Sequence, residues 1–420
     1  MRGTVYLIAL TLNQRLITGK DENQLIIACL SMHSSPLGKP GTKDTGGMST
    51  YLRELAGALG KQGHRVDLFT RRDSRTVQPA VEFAINARLV SVCAGPIATA
   101  KADLYKYAAP FARNIERFRQ VENLSYDLVF SHYWLSALAG RELGSYWGVP
   151  HLVMFHTLGA VKNASGSGES EPARRIESEK VIARHCRRVI VAAEREKEAL
   201  LRYYDLEPGK IAVIPCGVNL ELFQPAAPAA ARGAISPGGH AKIVLYVGRI
   251  EPVKGLELLI RAAGRLCEAH DFRLIVAGGD SYSRPAVETY RRLAGELGIA
   301  DRVDFIGPVE HEKLPLYYSA AAVTVIPSHY ESFGLTALES LACGTPVAAA
   351  DVGDLRTIIR QGETGLVIGK RAPEELAAGI AALIERPDKP VQACRDSVLN
   401  FSWPAIARQL MQAIRDLAPL

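Results

Sequence analysis

No stretch of the 420-residue chain approaches the roughly 18 consecutive apolar residues that a membrane-spanning helix requires, which excludes an integral membrane protein that spans by helices. The apolar run Val5–Leu10 is too short to cross and no small-residue cleavage pattern follows it, so residues 1–23 read as an added N-terminal extension. Cysteine is sparse: the seven stand at 29, 93, 186, 216, 267, 343 and 394, with no C-x-x-C pair and no histidines at ligand spacing. No structural metal is implied, and reduced thiols in a cytoplasmic protein are the simple reading. G-x-G-x-x-G is missing too, which removes the main support for a dinucleotide dehydrogenase. Charge of one sign is scarce as well. Fifty Lys and Arg against forty-four Asp and Glu leave a net +6, too mild to argue for nucleic acid and compatible with small anionic substrates or peripheral contact with a membrane surface.

What is present is an ordinary globular composition, 48% hydrophobic and 22% charged, over a length that suits two or three domains of about 150 residues. Short β-branched runs alternate with amphipathic stretches, the pattern of an α/β fold with parallel sheets. Leu25–Leu30 and Val66–Thr70 read as strands around a helix, Ser49–Gly60, that Gly46 and Gly47 introduce. A glycine-rich turn before a helix favours an anion. Tyr126–Ser131 and Leu152–Phe155 are further strands; they deliver His132-Tyr133 and His156-Thr157 to carboxyl ends, where α/β sheets place ligands. Lys101–Gln120 shows one apolar helical stripe under a basic face. Asn163–Glu171 is polar and reads as a mobile loop, and Pro225–His240, rich in Ala, Pro and Gly, as a linker.

The pattern restarts at Ile243–Val247. Arg249 and Lys254 stand at that strand's end, before an amphipathic helix Leu256–Leu266, and can converge on one diphosphate, Arg as a planar fork and Lys as a point charge. The stretch that organises the chain comes later. After the buried-strand run Ala321–Ile326, Glu331 and Glu339 bracket the start of a helix, Leu335–Ala342, and Ser332, Phe333 and Gly334 would present backbone N–H groups at the positive end of its dipole. Taken alone, these are equally well two solvated carboxylates.

The stretch from Glu331 to Glu339, continued by Cys343-Gly344-Thr345-Pro346-Val347, resembles the nucleotide-sugar site of retaining GT-B glycosyltransferases of family 4, and Arg249 with Lys254-Gly255 resembles that family's diphosphate-binding motif. His132-Tyr133-Trp134-Leu135-Ser136, Phe155-His156-Thr157-Leu158-Gly159, and the loop holding Pro40-Gly41-Thr42 and Asp44-Thr45-Gly46-Gly47-Met48 are similar to a narrower branch, the inositol-phosphate N-acetylglucosaminyltransferases and sucrose-phosphate synthases. The resemblance covers roughly residues 24 to 420. It implies two doubly wound Rossmann-like domains facing across a cleft: an acceptor domain over 24–224, a linker over 225–240, a nucleotide-sugar domain over 241–400, and a C-terminal helix over 401–420 returning to the first domain.

Residue by residue, the resemblance implies that Glu331 and His156 face the transferred sugar, that Arg249, Lys254, Gly46 and Gly47 meet the donor phosphates, and that Glu339 holds ribose hydroxyls. Ser332, Phe333, Gly334 and Leu335 complete the donor loop, with Val309 in the segment lining the base. Lys101, Tyr133, Thr157 and Arg175 match positions that hold an acceptor phosphate. Ser49 stands where the branch usually carries an asparagine for a ring hydroxyl, and Asp354 where the family usually has a second glycine; the acceptor ring and the role of Asp354 are left open.

The expected reaction moves a hexose or N-acetylhexosamine, with retention, from a nucleoside-diphosphate sugar, UDP-sugar favoured, to an acceptor hydroxyl, with a sugar or cyclitol phosphate as a candidate acceptor. No D-x-D metal clamp and no obligatory cofactor is needed; Mg dependence, base, sugar and oligomeric state are not legible. Two alternatives belong to other classes. A nucleotide-sugar epimerase of similar shape would make a product isomer from donor alone, and a binding protein with a decayed site is opposed by intact Arg249, Lys254, Glu331 and Glu339.

Overall fold

The β-branched runs become the central strands of two separate sheets. The computed structural model describes residues 24–38, 46–72, 80–166, 170–235 and 241–417. The expected N-terminal extension 1–23, Pro40-Gly41-Thr42 and Asp44-Thr45 of the N-terminal loop, and residues 236–240 of the expected linker lie outside that range.

The first sheet has eight strands: β1 (Ile26–Ser31), β2 (Arg65–Arg71), β3 (Ala80–Ala84), β4 (Ala87–Val92), β5 (Leu128–His132), β6 (His151–Met154), β7 (Arg188–Val191) and β8 (Ile211–Val213). Their order is β3-β4-β2-β1-β5-β6-β7-β8, parallel except for the antiparallel β3–β4 pair at one edge. The second sheet has β9 (Lys242–Val247), β10 (Phe272–Ala277), β11 (Val303–Gly307), β12 (Val323–Ile326), β13 (Val347–Ala350) and β14 (Gly365–Ile368), ordered β11-β10-β9-β12-β13-β14 and parallel throughout. In both, the order reverses beside the first strand, the switch point at which parallel sheets open a crevice at their carboxyl ends. Strands buried on both faces explain why they read as continuous apolar runs rather than alternating ones.

Each sheet has its own core on one face, and a third apolar cluster runs through both halves, joining Tyr51, Leu52 and Leu55 to Phe333, Leu338 and Trp403. The last helix, Trp403–Arg415, leaves the second half and lies on helix Gly47–Lys61 of the first: Trp403 meets Tyr51 edge-on at 5.4 Å, and Gln62 Nε2 donates to Pro404 O at 2.9 Å. Arg395 binds the crossing on both sides, donating to Leu220 O at 2.8 Å, to Ala342 O at 2.9 Å and to Phe223 O.

Three local expectations need correction. Lys101–Gln120 is not one helix: Lys101–Tyr107 is a 3₁₀ segment and an α-helix begins at Ala108, so Lys101 sits on a turn rather than on a helical face. Of the expected mobile loop Asn163–Glu171, residues 167–169 lie outside the described range, and the described parts are ordered. Gly159–Ser165 is helical, and the Asn163 amide anchors Glu171 in both directions, accepting from its N–H at 2.7 Å and donating to its carbonyl at 3.1 Å. Within 225–240, Pro228–Ile235 forms a helix, with a proline at its first position, against helix Leu314–Ala320.

Candidate active site

The loop after β12 carries Glu331 into the crevice. Lys254 ends a 3₁₀ turn after β9 and reaches across to it: Lys254 Nζ donates to Glu331 Oε1 at 2.5 Å, and Ser328 Oγ donates to the same oxygen at 3.0 Å. Lys254 is placed by its neighbour. Gly255 has φ +69°, and a Cβ there would stand 2.0 Å from Pro327 O, so only glycine lets this turn lie against the Glu331 loop. Arg249 is turned aside to Glu251, Nη1 to Oε1 at 2.6 Å. It remains at the cleft, since a Cβ on Gly46 would lie 3.6 Å from its Nε. Gly47 opens its helix against Leu335, 3.2 Å from the same construction.

Helix Leu335–Ala342 begins at Gly334, φ +115°. No side chain caps the positive end of its dipole. Phe333 turns away into the shared core, 6.1 Å from Phe401 ring to ring. Glu339, four residues into this helix, is 9% exposed. Tyr318 Oη donates to its Oε2 at 2.8 Å, and His311 Nε2 lies 3.4 Å from its Oε1. Arg53, from the first half, places Nη2 3.2 Å from His311 Nδ1. The guanidinium can only donate, so Nδ1 accepts and Nε2 carries the proton offered to Glu339. Burial disfavours a charged His311, but the hydrogen bond and charge of Glu339 outweigh it and raise its pKa. Val309 is half-buried two positions before His311.

Across the cleft, β5 and β6 end side by side, and just beyond their ends stand two residues with positive φ, Tyr133 at +72° and His156 at +61°. Such strain in residues other than glycine gathers at functional sites. His132 Nδ1 and His156 Nε2 are 2.9 Å apart. Burial pushes the His156 pKa down to about 3 and that of His132 well below the usual value, so both rings are neutral. His132 Nε2 is buried without a partner among the described residues. An orphaned N–H costs more than an orphaned lone pair, which puts the His132 proton on Nδ1, donated to His156 Nε2, and leaves His156 Nδ1–H as a donor. Ser332 Oγ donates to His156 O and joins the donor-side loop to this strand end.

Beside His156 the four residues matched to an acceptor phosphate come together. Arg175 Nη2 donates to Thr157 O at 2.6 Å and to Thr157 Oγ1 at 2.8 Å. The Arg175 guanidinium and Lys101 Nζ each stand 4.9 Å from the centre of the Tyr133 ring. Arg175 is no solvated charge: it is 1% exposed, with Nε on Glu179 Oε1 at 2.7 Å and Nη1 on Glu171 Oε2 at 2.9 Å. Ser49 is 2% exposed and shares a 2.6 Å hydrogen bond with Ser34 Oγ. Asp354 accepts from Thr357 Oγ1 at 2.9 Å.

Sequence reasoning placed His132 at a strand end that holds ligands but missed Glu179, Glu171, Lys162, His311 and Tyr318 as parts of this site. Glu179 had a signal, since a carboxylate four positions after Arg175 on a helix shares its face. His311 and Tyr318 had none, because they meet Glu339 only through folding.

Two facing Rossmann-like sheets, with cations and an uncapped helix start on one side of the crevice and a strand-end cluster on the other, define a GT-B glycosyltransferase. Residues 231–396 match the family described as "Glycosyl transferases group 1", and residues 45–222 match "Glycosyltransferase Family 4". The chain belongs to this family. It is 37% identical to a D-inositol 3-phosphate glycosyltransferase of Corynebacterium glutamicum over 93% of this chain and 96% of that one. Among solved structures it is similar to a sucrose-phosphate synthase from Thermosynechococcus elongatus, with a TM-score of 0.85 and 34% identity over 94% of this chain and 99% of that one. Anabaena HepE, solved with UDP and glucose, has a TM-score of 0.74 at 18% identity over 94% of this chain and all of its own, a likeness of fold alone. Nothing in these likenesses supports the epimerase alternative. Among the described residues no helix is long and apolar enough to cross a membrane.

Proposed function

We propose that the protein transfers a hexose or N-acetylhexosamine, with retention, from a nucleoside-diphosphate sugar, a UDP-sugar first, to a hydroxyl of a sugar or cyclitol phosphate. The observation that carries this reading is the meeting of Lys101 and Arg175 over Tyr133, with Thr157 on Arg175 and His156 next in sequence. Two cations and two hydroxyls suit a phosphate dianion, which they bind by charge-assisted hydrogen bonds that a neutral sugar cannot match. The names of the inositol-phosphate and sucrose-phosphate relatives point the same way. Ser49 is shorter than an asparagine and already shares one hydrogen bond with Ser34, so it has less to offer the acceptor ring, the part of the acceptor least constrained.

On the donor side, Arg249, Lys254 and the helix start at Gly334 face the charge that builds on the departing diphosphate. Glu339 holds the ribose, with one oxygen steadied from behind by Tyr318. His156 Nδ1–H donates to a hydroxyl of the transferred sugar, and Glu331 faces its ring. The acceptor attacks from the side of the leaving group, and the leaving phosphate takes its proton. The sugar–phosphate bond breaks as the new glycosidic bond forms, with no covalent sugar–enzyme intermediate. Seven unpaired cysteines support a reducing, cytoplasmic setting. The test is a donor screen with purified protein: UDP-, GDP- and ADP-sugars are offered and each released nucleoside diphosphate is scored. Release only with UDP-sugars supports the reading; release with none overturns it.

A further inference from the structure

Arg175 already has a permanent counter-ion. Glu179 is fully buried, accepts Arg175 Nε at 2.7 Å and is itself fixed by Tyr204 Oη and by the Gly159 N–H at 3.0 Å. Glu171 is a second carboxylate on the same guanidinium and is held differently. Its Oε2 meets Arg175 Nη1 at 2.9 Å, its Oε1 takes Lys162 Nζ, and its side chain keeps 16% exposure. Its backbone is pinned by Asn163, so the carboxylate can leave by a change of rotamer alone.

A carboxylate bridging a lysine and the open edge of an arginine stands where one edge of a phosphate would bind. We propose that Glu171 is a resident competitor for the acceptor phosphate. It neutralises Arg175 and Lys162 when no acceptor is bound, and gives both cations up to an arriving dianion, which makes Lys162 a fifth residue of the phosphate site. The phosphate must displace a carboxylate to bind, so the exchange lowers its affinity while keeping both cations neutralised until a dianion arrives. The inference rests on reading this cluster as the seat of the acceptor phosphate.

The test compares wild type with Glu171→Gln and Lys162→Met, using inositol monophosphate and fructose 6-phosphate as acceptors, their unphosphorylated forms as controls, and inorganic phosphate as competitor. Loss of the competing charge in Glu171→Gln is expected to lower the KM for the phosphorylated acceptor and the Ki for inorganic phosphate by about three- to tenfold, with donor KM unchanged. Lys162→Met is expected to raise both by about tenfold or more while unphosphorylated acceptors are unaffected. If Glu171→Gln weakens phosphate binding, Glu171 serves to orient Arg175, and if it leaves both constants unchanged it does not compete; either result overturns the proposal. Should Glu171→Gln lose the wild-type melting profile, Lys162→Met decides, and a phosphate KM within twofold of wild type overturns it. Wild-type protein that uses phosphorylated and plain acceptors equally refutes the phosphate site itself, a different failure from a phosphate preference that Glu171→Gln leaves unimproved.

Discussion

Lys254 Nζ lies 2.5 Å from Glu331 Oε1, so the cation assigned to the diphosphate and the carboxylate assigned to the sugar are already one ion pair before any donor arrives. Both side chains keep partial exposure toward the cleft, 21% and 17%. The pair and the turn that Gly255 permits together fix where the Lys254 ammonium sits.

Lys254→Ala and Arg249→Ala should each lower kcat by at least about tenfold, since each removes charge stabilisation made mainly in the transition state. Replacing both Lys254 and Glu331 should cost less than the two single losses added together, because the partners are in contact. Near-normal turnover in the two cation variants, measured at saturating donor, would remove the diphosphate role.

Glu339→Ala should act mainly on donor KM, because ribose contacts are made equally in ground and transition states. It also leaves Tyr318 Oη and His311 without their carboxylate partner in the interior, a loss of about 1–3 kcal/mol of stability. Glu339→Gln should keep most of that stability while still weakening donor binding. Donor titration and thermal melts of both variants separate the two effects; a fall in kcat at unchanged KM would contradict the ribose role.

Acid should unfold this protein through its histidines. Burial holds His156 and His151 down to about 3, and His132 and His33 well below the ordinary value. A group whose pKa is lower folded than unfolded binds more protons in the unfolded chain between the two values. The stability from these neutral rings is therefore complete above about pH 6.5 and is lost as pH falls from there toward about 3. Melting temperature should decline steadily over that window, and His151→Gln, which keeps a partner for Ser131, should make the decline shallower. A flat profile from pH 7 to pH 4 would contradict the assignment of these rings as neutral.

Local pattern made much of the fold legible. Leu256–Leu266 and Leu335–Ala342 have the bounds that their spacing and flanking glycines imply, because helix ends are decided by nearby residues. The site was legible where chemistry sits at a strand end, as with Tyr133 and Thr157 beside Arg175. What escaped depends on pairing. Composition gives Arg175 the same weight as Arg174, yet Arg175 is sealed by Glu171 and Glu179 while Arg174 is exposed, stacked over Tyr105 at 4.1 Å. Around the stretch 163–171, Asn163 bonds the backbone of Glu171, a pairing that polar composition does not announce. Pro228–Ile235 looked like a linker although alanine is the strongest helix former and proline opens helices well.

The most direct test measures glycoside formation by the purified protein from a UDP-sugar, offered in turn an inositol or sugar phosphate and the same acceptor without its phosphate. The account predicts that the phosphorylated acceptor is used at least about tenfold better in kcat/KM, as charge-assisted contacts from Lys101 and Arg175 require. Equal use of the two acceptors, or isomerisation of the donor with no acceptor present, would contradict it.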